Sequence, residues 1–440
     1  MGRDRAPFSY RALQWWARSA VGVVYRRTEV TGAENLPNAR PAILAANHGN
    51  ALGDIAVIVA KMPRFPQFLA ASSWWKSAPA RVLFRLGGVV PIHRRRDGAD
   101  RSGNASTFEA CYAALAAGAH IAIFPEGELH NEPALMPLKT GAARIALGAA
   151  ADAGVGGVVL VPVGMVYEDP GRFRSDVEIR FGDPIEVDEW IDRARADPDK
   201  VAREVTDLLA DRLAAVTVNH GSHDEAELVD RAAALLMSDV SPSYSRRNEL
   251  RRALAAALAT STAEDGSANR ALAATVAVHD GDLAQLGISG ARHAPRLSES
   301  SDRDRHRLDI ELAALGPPAA LGLVLNAPVL LGAALATTRA KHESWKATTM
   351  GVAGTALCPL VWTLDYVYLA RRLGRGRALT ITAAGAAGGI AALAWRDRFL
   401  RRRALTWLDR AARDQPTELA AARASRTRLR EHVAALTDNG

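Results

Sequence analysis

The sequence predicts an α/β domain with a largely parallel central sheet flanked by helices, followed by a helical middle region and three membrane-type helices. The first observation is that strand-like and helix-like segments alternate between residues 28 and 187, which is typical of a sheet with parallel strands. The second is that polar motifs follow several of those strands, where α/β sheets bind ligands. The third is a change of composition after residue 311, where three long runs carry almost no charge.

The N-terminal segment, residues 1–27, is predicted to hold an amphipathic helix over residues 8–27. Trp15 and Trp16 lie among apolar residues and arginines, a combination that interfacial membrane helices use. A helix that docks on the next domain would show the same pattern. The sequence leaves both interpretations open.

The second segment, residues 28–187, holds the alternating elements. Its strand-like stretches include "PAILAAN", "GGVVPI", "AHIAIFPEG", "VGGVVLVPVGMVY" and "DVEIRFGDPI", and its helix-like stretches are "ALGDIAVIVAKM", "ASTFEACYAALAAG" and "GAARIALGAAADAG". Asn47 and His48 follow the first strand, His93 and Arg94 the second, and Glu126 the third. Because ligand sites gather at the carboxyl ends of parallel strands, we expect these side chains to belong to one site.

Three further segments complete the predicted organisation. Residues 188–310 are polar and Ala-rich with helical periodicity, which predicts a helical subdomain or cap. Residues 311–398 contain the apolar runs, and residues 399–440 predict a polar C-terminal helix.

The apolar runs lie at 312–338, 348–370 and 378–395, and each approaches the length needed to cross a bilayer. Gly385 and Gly389 have the spacing that lets membrane helices approach closely. Ala and Gly contribute little to insertion, and Pro317, Pro318 and Pro328 are expected to interrupt the first run. The alternative interpretation is a buried helical hairpin. Arginines flank the last two runs, which favours the cytoplasmic side and anionic headgroups.

Composition and motifs restrict the chemistry. The formal net charge of +7 suits nucleic acid, anionic lipid or phosphorylated small substrates equally. The two cysteines lie far apart, which argues against a disulfide scaffold or a Cys-based metal site. The sequence has no CxxC, HExxH, GxxxxGK[ST] or GxSxG motif, and no basic patch with the interleaved aromatics of a single-strand binder. We therefore expect no metal, no covalent Ser or Cys intermediate and no nucleic-acid partner.

The stretch "NHGNALGD", residues 47–54, places His48 six residues before Asp54. Histidine is the usual general base near neutral pH, and a carboxylate that turns back beneath the ring would fix its tautomer. Taken alone, such a pair fits a structural role better than a catalytic one.

Four ordered stretches change that balance. "NHGNALGD", "GGVVPIHRRRDG", "IFPEGELHNEPALMPLKTGAARIAL" and "VPVGMVYEDPGRFRSDVEIRFGDPI" resemble the four blocks of the glycerolipid acyltransferase family, which includes glycerol-3-phosphate and lysophosphatidate acyltransferases. The resemblance covers residues 28–187, which would be the catalytic domain, and is closest to a branch with hydrophobic helices after that domain.

The resemblance implies a role for each matching position. His48 would be the general base and Asp54 its partner, although this chain has five residues between them where the family usually has four. Arg94 would bind the phosphate of the acceptor, assisted by Lys139 and Arg95, because Leu129 stands where many members have an arginine. The remaining matches are Glu126 and Gly127 as substrate-binding residues and Asn47, Pro125 and Pro162 as residues that shape the site.

The implied activity is transfer of a fatty acyl group from acyl-CoA or acyl carrier protein to the hydroxyl of glycerol-3-phosphate or lysophosphatidate in phospholipid synthesis, with no other cofactor. Expected partners are membrane lipid, the acyl donor and a phosphorylated glycerol acceptor, with the catalytic domain on the cytoplasmic side of a membrane. The oxyanion donors would be amides near Asn50 and Gly127, and "SSWWKSAP" would contribute to an acyl groove. Alternatives are a remodelling acyltransferase for another lysophospholipid or alcohol, and an inactive lipid-binding protein. Because all four blocks precede residue 188, we expect partial activity in a form that ends near residue 310.

Overall fold

The computed structural model describes residues 8–37, 39–64, 66–71, 89–92, 102–238, 243–262, 266–288, 297–298, 302–339 and 345–438. These residues form two compact units. The first comprises Met1–Val218 with Glu343–Thr348, and the second comprises Asn219–His342 with Thr349–Gly440. The finer five-part division predicted from the sequence stays a prediction.

The first unit is built around one mixed sheet. Its strands are β1 (Tyr25–Thr31), β2 (Ala42–Ala46), β3 (Pro66–Ala71), β4 (Val90–Ile92), β5 (His120–Ile123), β6 (Val159–Tyr167), β7 (Ser175–Phe181) and β8 (Ile185–Glu186). The order is β1-β7-β6-β2-β5-β3-β4, with β8 paired to β6. Only the pairings of β6 with β7 and with β8 are antiparallel within the described sheet. The predicted largely parallel sheet is therefore confirmed.

Strand β2 lies at the centre of this sheet, and every residue in it is buried. Its side chains alternate between two apolar cores: Leu44 contributes to one, and Ile43 and Ala45 contribute to the other. A strand covered on both faces reads as a continuous apolar run, which is why "AILAA" shows no polar alternation. β2 is thereby held rigidly, and the loop that follows it starts from a fixed point.

The helices of the first unit cover both faces of the sheet. They are α1 (Phe8–Val24), α2 (Leu52–Lys61), α3 (Ser102–Ala116), α4 (Gly141–Ala151), α5 (Ile191–Ala196) and α6 (Pro198–Val216), with 3₁₀ turns at Ala33–Asn35 and Val187–Trp190.

Helix α1 differs from its prediction at one end, since it stops at Val24 and the chain continues as β1. Its docked face joins the apolar core. Arg18 donates to the Ala60 carbonyl near the end of α2 (3.0 Å), and Gln14 donates to the carbonyl of Met62, the residue that follows α2 (2.8 Å). The opposite face leaves the Trp15 side chain 72% exposed. The docked-helix interpretation therefore describes one face, and the other face remains available to a membrane surface.

The second unit is helical. Its helices are α7 (His223–Met237), α8 (Tyr244–Thr262), α9 (Ser267–Gln285), α10 (Asp302–Thr337), α11 (Trp345–Leu373, from Thr349 onward), α12 (Arg375–Asp414) and α13 (Pro416–Asp438). Residues of α7, α8, α9, α13 and the last part of α12 share one apolar core. Among the described residues, the predicted helical character of 188–310 and of the C-terminal segment is confirmed.

Helices α10, α11 and α12 are long and apolar enough to cross a membrane, judged by length and composition. The three prolines inside α10 do not end it, in contrast to the interruption expected from the sequence. Apolar side chains are exposed along all three helices, including Val324 (71%), Leu364 (60%) and Ile390 (67%). A hairpin buried inside the protein would not leave such side chains in contact with solvent, so the apolar surface needs another covering.

Candidate active site

The site lies where adjacent parallel strands end. β2 pairs with β5 on one side and with β6 on the other, all three in parallel. The loop after β2 carries Asn47 and His48, and the turn after β5 carries Glu126, so the pairing brings these residues to one edge. The contact is direct, because the His48 backbone N–H donates to Glu126 Oε1 at 2.9 Å.

His48 and Asp54 form the predicted pair. Nδ1 of His48 lies 2.9 Å from Oδ2 of Asp54. The histidine ring stacks on Phe124 with ring centroids 4.0 Å apart, and its side chain keeps 19% exposure, whereas Asp54 is fully buried. Because Asp54 occupies Nδ1, the Nε2 atom is the one left to face a substrate.

The five-residue spacing is absorbed at the start of α2. Ala51 has a φ of 46° and a ψ of −120°, a conformation that reverses the chain just before Leu52 begins the helix. Asp54 then lies in the first helical turn, where the helix dipole favours a negative charge. The longer spacing therefore still delivers the carboxylate beneath the ring.

Asp54 receives two more hydrogen bonds from the protein. The Asn50 backbone N–H donates to Oδ2 (2.9 Å), and the Tyr167 hydroxyl donates to Oδ1 (2.7 Å). Burial and the neighbouring Asp54 carboxylate raise the pKa of Tyr167 well above its usual value, so its hydroxyl stays protonated and can donate. Three donors therefore hold this buried carboxylate in one orientation.

A second layer holds Asn50. Its side-chain Nδ2 donates to the Tyr25 hydroxyl at 2.8 Å. Gly53 leaves the room for this contact, because a Cβ there would lie 2.8 Å from Asn50 Nδ2 and 2.9 Å from the Tyr25 oxygen. Tyr25 also packs beside Tyr167, with ring centroids 5.7 Å apart.

Glu126 is 2% exposed and is engaged on both carboxylate oxygens. Oε1 accepts from the backbone of His48, and Oε2 accepts from the Met136 backbone (3.0 Å) and contacts Nε2 of His130. The other ring nitrogen of His130 accepts from the Glu132 backbone at 3.2 Å. These contacts favour a positioning role for Glu126 over direct contact with substrate, and they leave His130 poorly placed to be a second base.

The remaining predicted residues that the structure describes lie around this centre. Asn47 exchanges two hydrogen bonds with the Met165 backbone, which ties the loop to β6. Pro125 and Pro162 are buried. Lys139 is an exposed residue, and its side chain with the terminal Nζ lies over Gly127, whose φ of 77° suits glycine.

Some predicted residues lie outside the described residues: Arg94, Arg95, His93 and the proposed groove segment at 72–79. Their roles stay predictions. Two amides in the predicted oxyanion regions are engaged within the protein, because the Asn50 N–H donates to Asp54 and the Gly127 N–H donates to the Phe124 carbonyl at 3.1 Å. The oxyanion role of the start of α2 and of the turn at Gly127 stays a prediction.

Four residues of the site were not predicted from the sequence: Tyr25, Asn50 as a side chain, Gly53 and Tyr167. Asn50 and Gly53 lie inside the first block and Tyr167 inside the fourth, so the blocks pointed at their neighbourhood without assigning them a role. Tyr25 carried no signal, because the region was predicted as the end of a helix.

Comparison with known proteins shows a family resemblance over the part of the chain that holds this site. Residues 27–166 match the family model described as Acyltransferase. This part of the chain is similar to acyltransferase domains. It contains His48, Asn50, Asp54 and Glu126, whereas Tyr25 and Tyr167 lie just outside the matched range.

The matching relatives agree with that family. The chain is 31% identical over 138 residues to "Glycerol-3-phosphate O-acyltransferase 2" of Saccharomyces cerevisiae, which covers 31% of this chain and 19% of the yeast protein. It is 26% identical over 159 residues to mouse "1-acyl-sn-glycerol-3-phosphate acyltransferase alpha", covering 36% of this chain and 51% of the mouse protein. The matched region thus spans at most about half of these relatives.

Among solved structures, the acyltransferase PlsC from Thermotoga maritima matches with a TM-score of 0.35 and 20% identity, covering 47% of this chain and 80% of that chain. The family model and the curated relatives confirm the resemblance to the glycerolipid acyltransferase family over residues 27–166.

Proposed function

We propose that this protein is a membrane-associated acyltransferase that moves a fatty acyl group from a thioester donor, acyl-CoA or acyl carrier protein, to the hydroxyl of glycerol-3-phosphate or lysophosphatidate. The names of the yeast and mouse relatives support this class of acceptor. No cofactor beyond the acyl donor is part of the proposal.

The observation that carries it is the contact between Nδ1 of His48 and the buried Asp54 carboxylate. An acceptor hydroxyl is too weak an acid to attack a thioester unaided, so a base must take its proton during attack. Asp54 fixes the tautomer in which Nε2 of His48 can accept that proton, and it stabilises the imidazolium that forms.

The atoms balance over two steps. The acceptor oxygen bonds to the thioester carbonyl carbon while its proton moves to His48, giving a tetrahedral oxyanion. Collapse of that intermediate breaks the carbon–sulfur bond, and the leaving thiolate takes the proton from His48. The products are the ester and the free thiol. The Gly53 N–H at the start of α2 donates to the Asn50 carbonyl, and the other amides of that first turn are the groups suited to stabilise the oxyanion.

Phosphate recognition is assigned to Arg94 and Arg95 with Lys139. A planar guanidinium suits phosphate oxygens bidentately, and Lys139 lies beside Gly127 at the turn that carries Glu126. Glu126 and Gly127 shape this side of the site. Asn47, Pro125 and Pro162 hold the loops that carry it.

Membrane association is supported by the three apolar helices and by the exposed Trp15 face of α1. The arginines that flank the apolar runs favour the cytoplasmic side for the catalytic domain. The product carries an acyl chain, and so does a lysophosphatidate acceptor. A site held at a membrane surface has direct access to such lipids.

The test is release of free thiol from acyl-CoA in the presence of each acceptor, with purified full-length protein. His48→Ala should reduce thiol release by about a hundred- to ten-thousandfold, because it removes the base. Asp54→Asn should lose nearly as much, since an amide cannot hold the same tautomer or stabilise the imidazolium. His223→Ala, an exposed histidine at the start of α7, is the matched control and should retain full activity.

Wild-type turnover in His48→Ala would remove His48 from the mechanism. Wild-type protein that binds acyl-CoA but releases no thiol with either acceptor would instead support the inactive lipid-binding alternative.

A further inference from the structure

The connectivity of the apolar helices restricts how they can lie in a membrane. Residues 345–348, the first residues of α11, belong to the same compact unit as residues up to Val218. Ala347 is 1% exposed within the core that contains Leu44 and Val163, and Thr348 lies near the active-site loop, with Oγ1 3.4 Å from Asn50 Oδ1. The segment that follows α10 is therefore part of the catalytic unit.

Helix α10 is the single candidate span between these two parts of that unit, within the residues that the structure describes. The sequence from 219 to 301 carries charges at short intervals and contains no apolar run of spanning length. One complete crossing by α10 would place residue 218 and residue 347 on opposite sides of the bilayer. One folded core cannot lie on both sides, so α10 enters and leaves on the same side.

Residues of the second unit also limit the number of membrane crossings. Its apolar core combines Leu235 of α7, which precedes α10, with Leu419 and Leu429 of α13, which follows α12. The chain before α10 and the chain after α12 therefore lie on the same side. The number of crossings made by the three helices together must be even, whereas three simple spans would make it odd.

The packing of α10 against α12 extends the argument. Arg398 pairs with Glu311 and Arg402 pairs with Asp309, while Gly385 lies against Leu325. Rising numbers on one helix thus meet falling numbers on the other, so the two helices are antiparallel. The C-terminal end of α10 and the N-terminal end of α12 therefore lie at the same depth. Because α11 connects these two ends, it must begin and end at that depth.

We propose that α10, α11 and α12 form a monotopic membrane surface, embedded from one face of the bilayer without crossing it, and that all polar segments of the chain emerge on that same face. The occupant of the surface is one lipid leaflet. Exposed leucine, valine and isoleucine side chains supply the apolar contact, namely Leu323, Val324, Leu331, Leu335, Leu360, Leu364, Leu379 and Ile390.

The charges at the ends of the helices fit this arrangement. Exposed Arg371, Arg375 and Arg377 lie at the junction of α11 and α12, and Arg401 lies beyond the apolar part of α12. Basic residues at both ends of an apolar helix suit anionic headgroups on a single face, because each cluster is then near the same layer of phosphates.

Single cysteines test the proposal in the full-length chain, with Cys111 and Cys358 replaced by Ser and Ala. Four exposed positions sample the polar segments: Glu227→Cys before α10, Thr338→Cys after it, Arg375→Cys before α12 and Thr417→Cys after it. Each variant is treated with a membrane-impermeant maleimide in sealed vesicles of known orientation, and again after detergent as the control for reactivity.

We expect all four cysteines to react from the same side, with protein that resists a high-salt wash and requires detergent for extraction. Labelling of position 338 from the side opposite to position 227 would overturn the proposal and establish a crossing by α10. Release of the protein by high salt alone would also overturn it, since no apolar surface would then be embedded. The readout does not require turnover, so it remains decisive if the proposed activity fails.

Discussion

At the scale of single residues, hydrogen-bond donors from three places in the chain hold the Asp54 carboxylate. They are His48 after β2, the Asn50 backbone before α2 and Tyr167 at the end of β6. Each hydrogen bond restricts rotation of the carboxylate, and such rotation would displace the imidazole that it holds. The titratable groups that face it are His48, Tyr167 and Tyr25. Tyr167 is therefore a positioning residue, because it acts on substrate only through Asp54 and His48.

Removing the Tyr167 hydroxyl tests that role. Tyr167→Phe should lower kcat by about ten- to a hundredfold, because a buried hydrogen bond to a charged group is lost, while KM for both substrates should change little. The measurement is thiol release at one pH, with kcat and both KM values determined separately.

Tyr112→Phe is the matched control for this hydroxyl. Tyr112 packs against the other core, beside Gly148, and loss of its hydroxyl should leave kcat unchanged. The rate at which diethylpyrocarbonate modifies His48 at one pH provides a readout that needs no turnover, and it should rise in Tyr167→Phe because the imidazole is held less firmly. Unchanged kcat together with an unchanged modification rate would show that Tyr167 only fills space.

The pair His48 and Asp54 could be predicted because one short block contains both residues, so local chain geometry decides their contact. Tyr167 could not, because it lies 113 residues beyond Asp54 and meets it only through the pairing of β2 with β6. Glu126 was predicted from its block, but its burial depends on His130 and on the Met136 backbone, which no motif specifies.

At the scale of elements, strands β2, β5 and β6 were predictable because each is a continuous apolar run bounded by turn residues. β1 was missed because "YRRTEVT" continues the basic pattern of α1, and its strand character comes from parallel pairing with β7. Arg26 and Arg27 both bind Asp176, which is nearly fully buried in that neighbouring strand. Such an ion pair is a tertiary contact and leaves no trace in local periodicity.

The predicted close approach of apolar helices also depends on a tertiary contact. Gly385 and Gly389 do face α10, but the tightest approach is between Gly388 and Gly322, where a Cβ would overlap the opposing backbone. Asn326 reinforces it by donating to the carbonyls of Gly322 (2.8 Å) and Gly385 (3.0 Å) and by accepting from Trp362 (2.9 Å). Small residues and one polar side chain are the usual means of helix association in lipid.

A glycine pair within α12 tests this contact. Gly388→Ala should destabilise the packing of α10 on α12 by about 1–3 kcal/mol, because the added methyl group meets the backbone at Pro318 and Gly322. Gly376→Ala, where nothing lies within 4 Å, should gain up to about 1 kcal/mol through helix propensity. Thermal unfolding in detergent micelles measures both.

Opposite signs for these two substitutions are the expected outcome. Equal small gains would mean that α10 and α12 do not pack through Gly388.

At the scale of the whole molecule, the chain returns to the catalytic unit after leaving it. The four blocks end before residue 188, which predicted that a form ending near residue 310 would keep part of its activity. Ala347 changes that expectation, because it contributes to the core that also supports β2 and α2. A truncated form without Ala347 loses part of the core beside the loop that carries Asn50. The folding stability of the first unit therefore depends on a residue outside the matched range 27–166.

Overpacking at Ala347 isolates this dependence without removing any helix. Ala347→Leu in the full-length protein should lower the stability of the catalytic unit by about 1–3 kcal/mol, because a larger side chain must enter a closed core. Ala215→Leu, at an exposed position of α6 in the same unit, is the matched control and should change stability by less than about 0.5 kcal/mol. The measurement is thermal unfolding monitored through the loss of thiol-releasing activity. This readout reports on the site because the core around Ala347 supports the loop that carries Asn50. If both leucine variants melted together with the wild type, residues 343–348 would not be part of the catalytic unit, and the parity argument for a monotopic surface would lose its first premise.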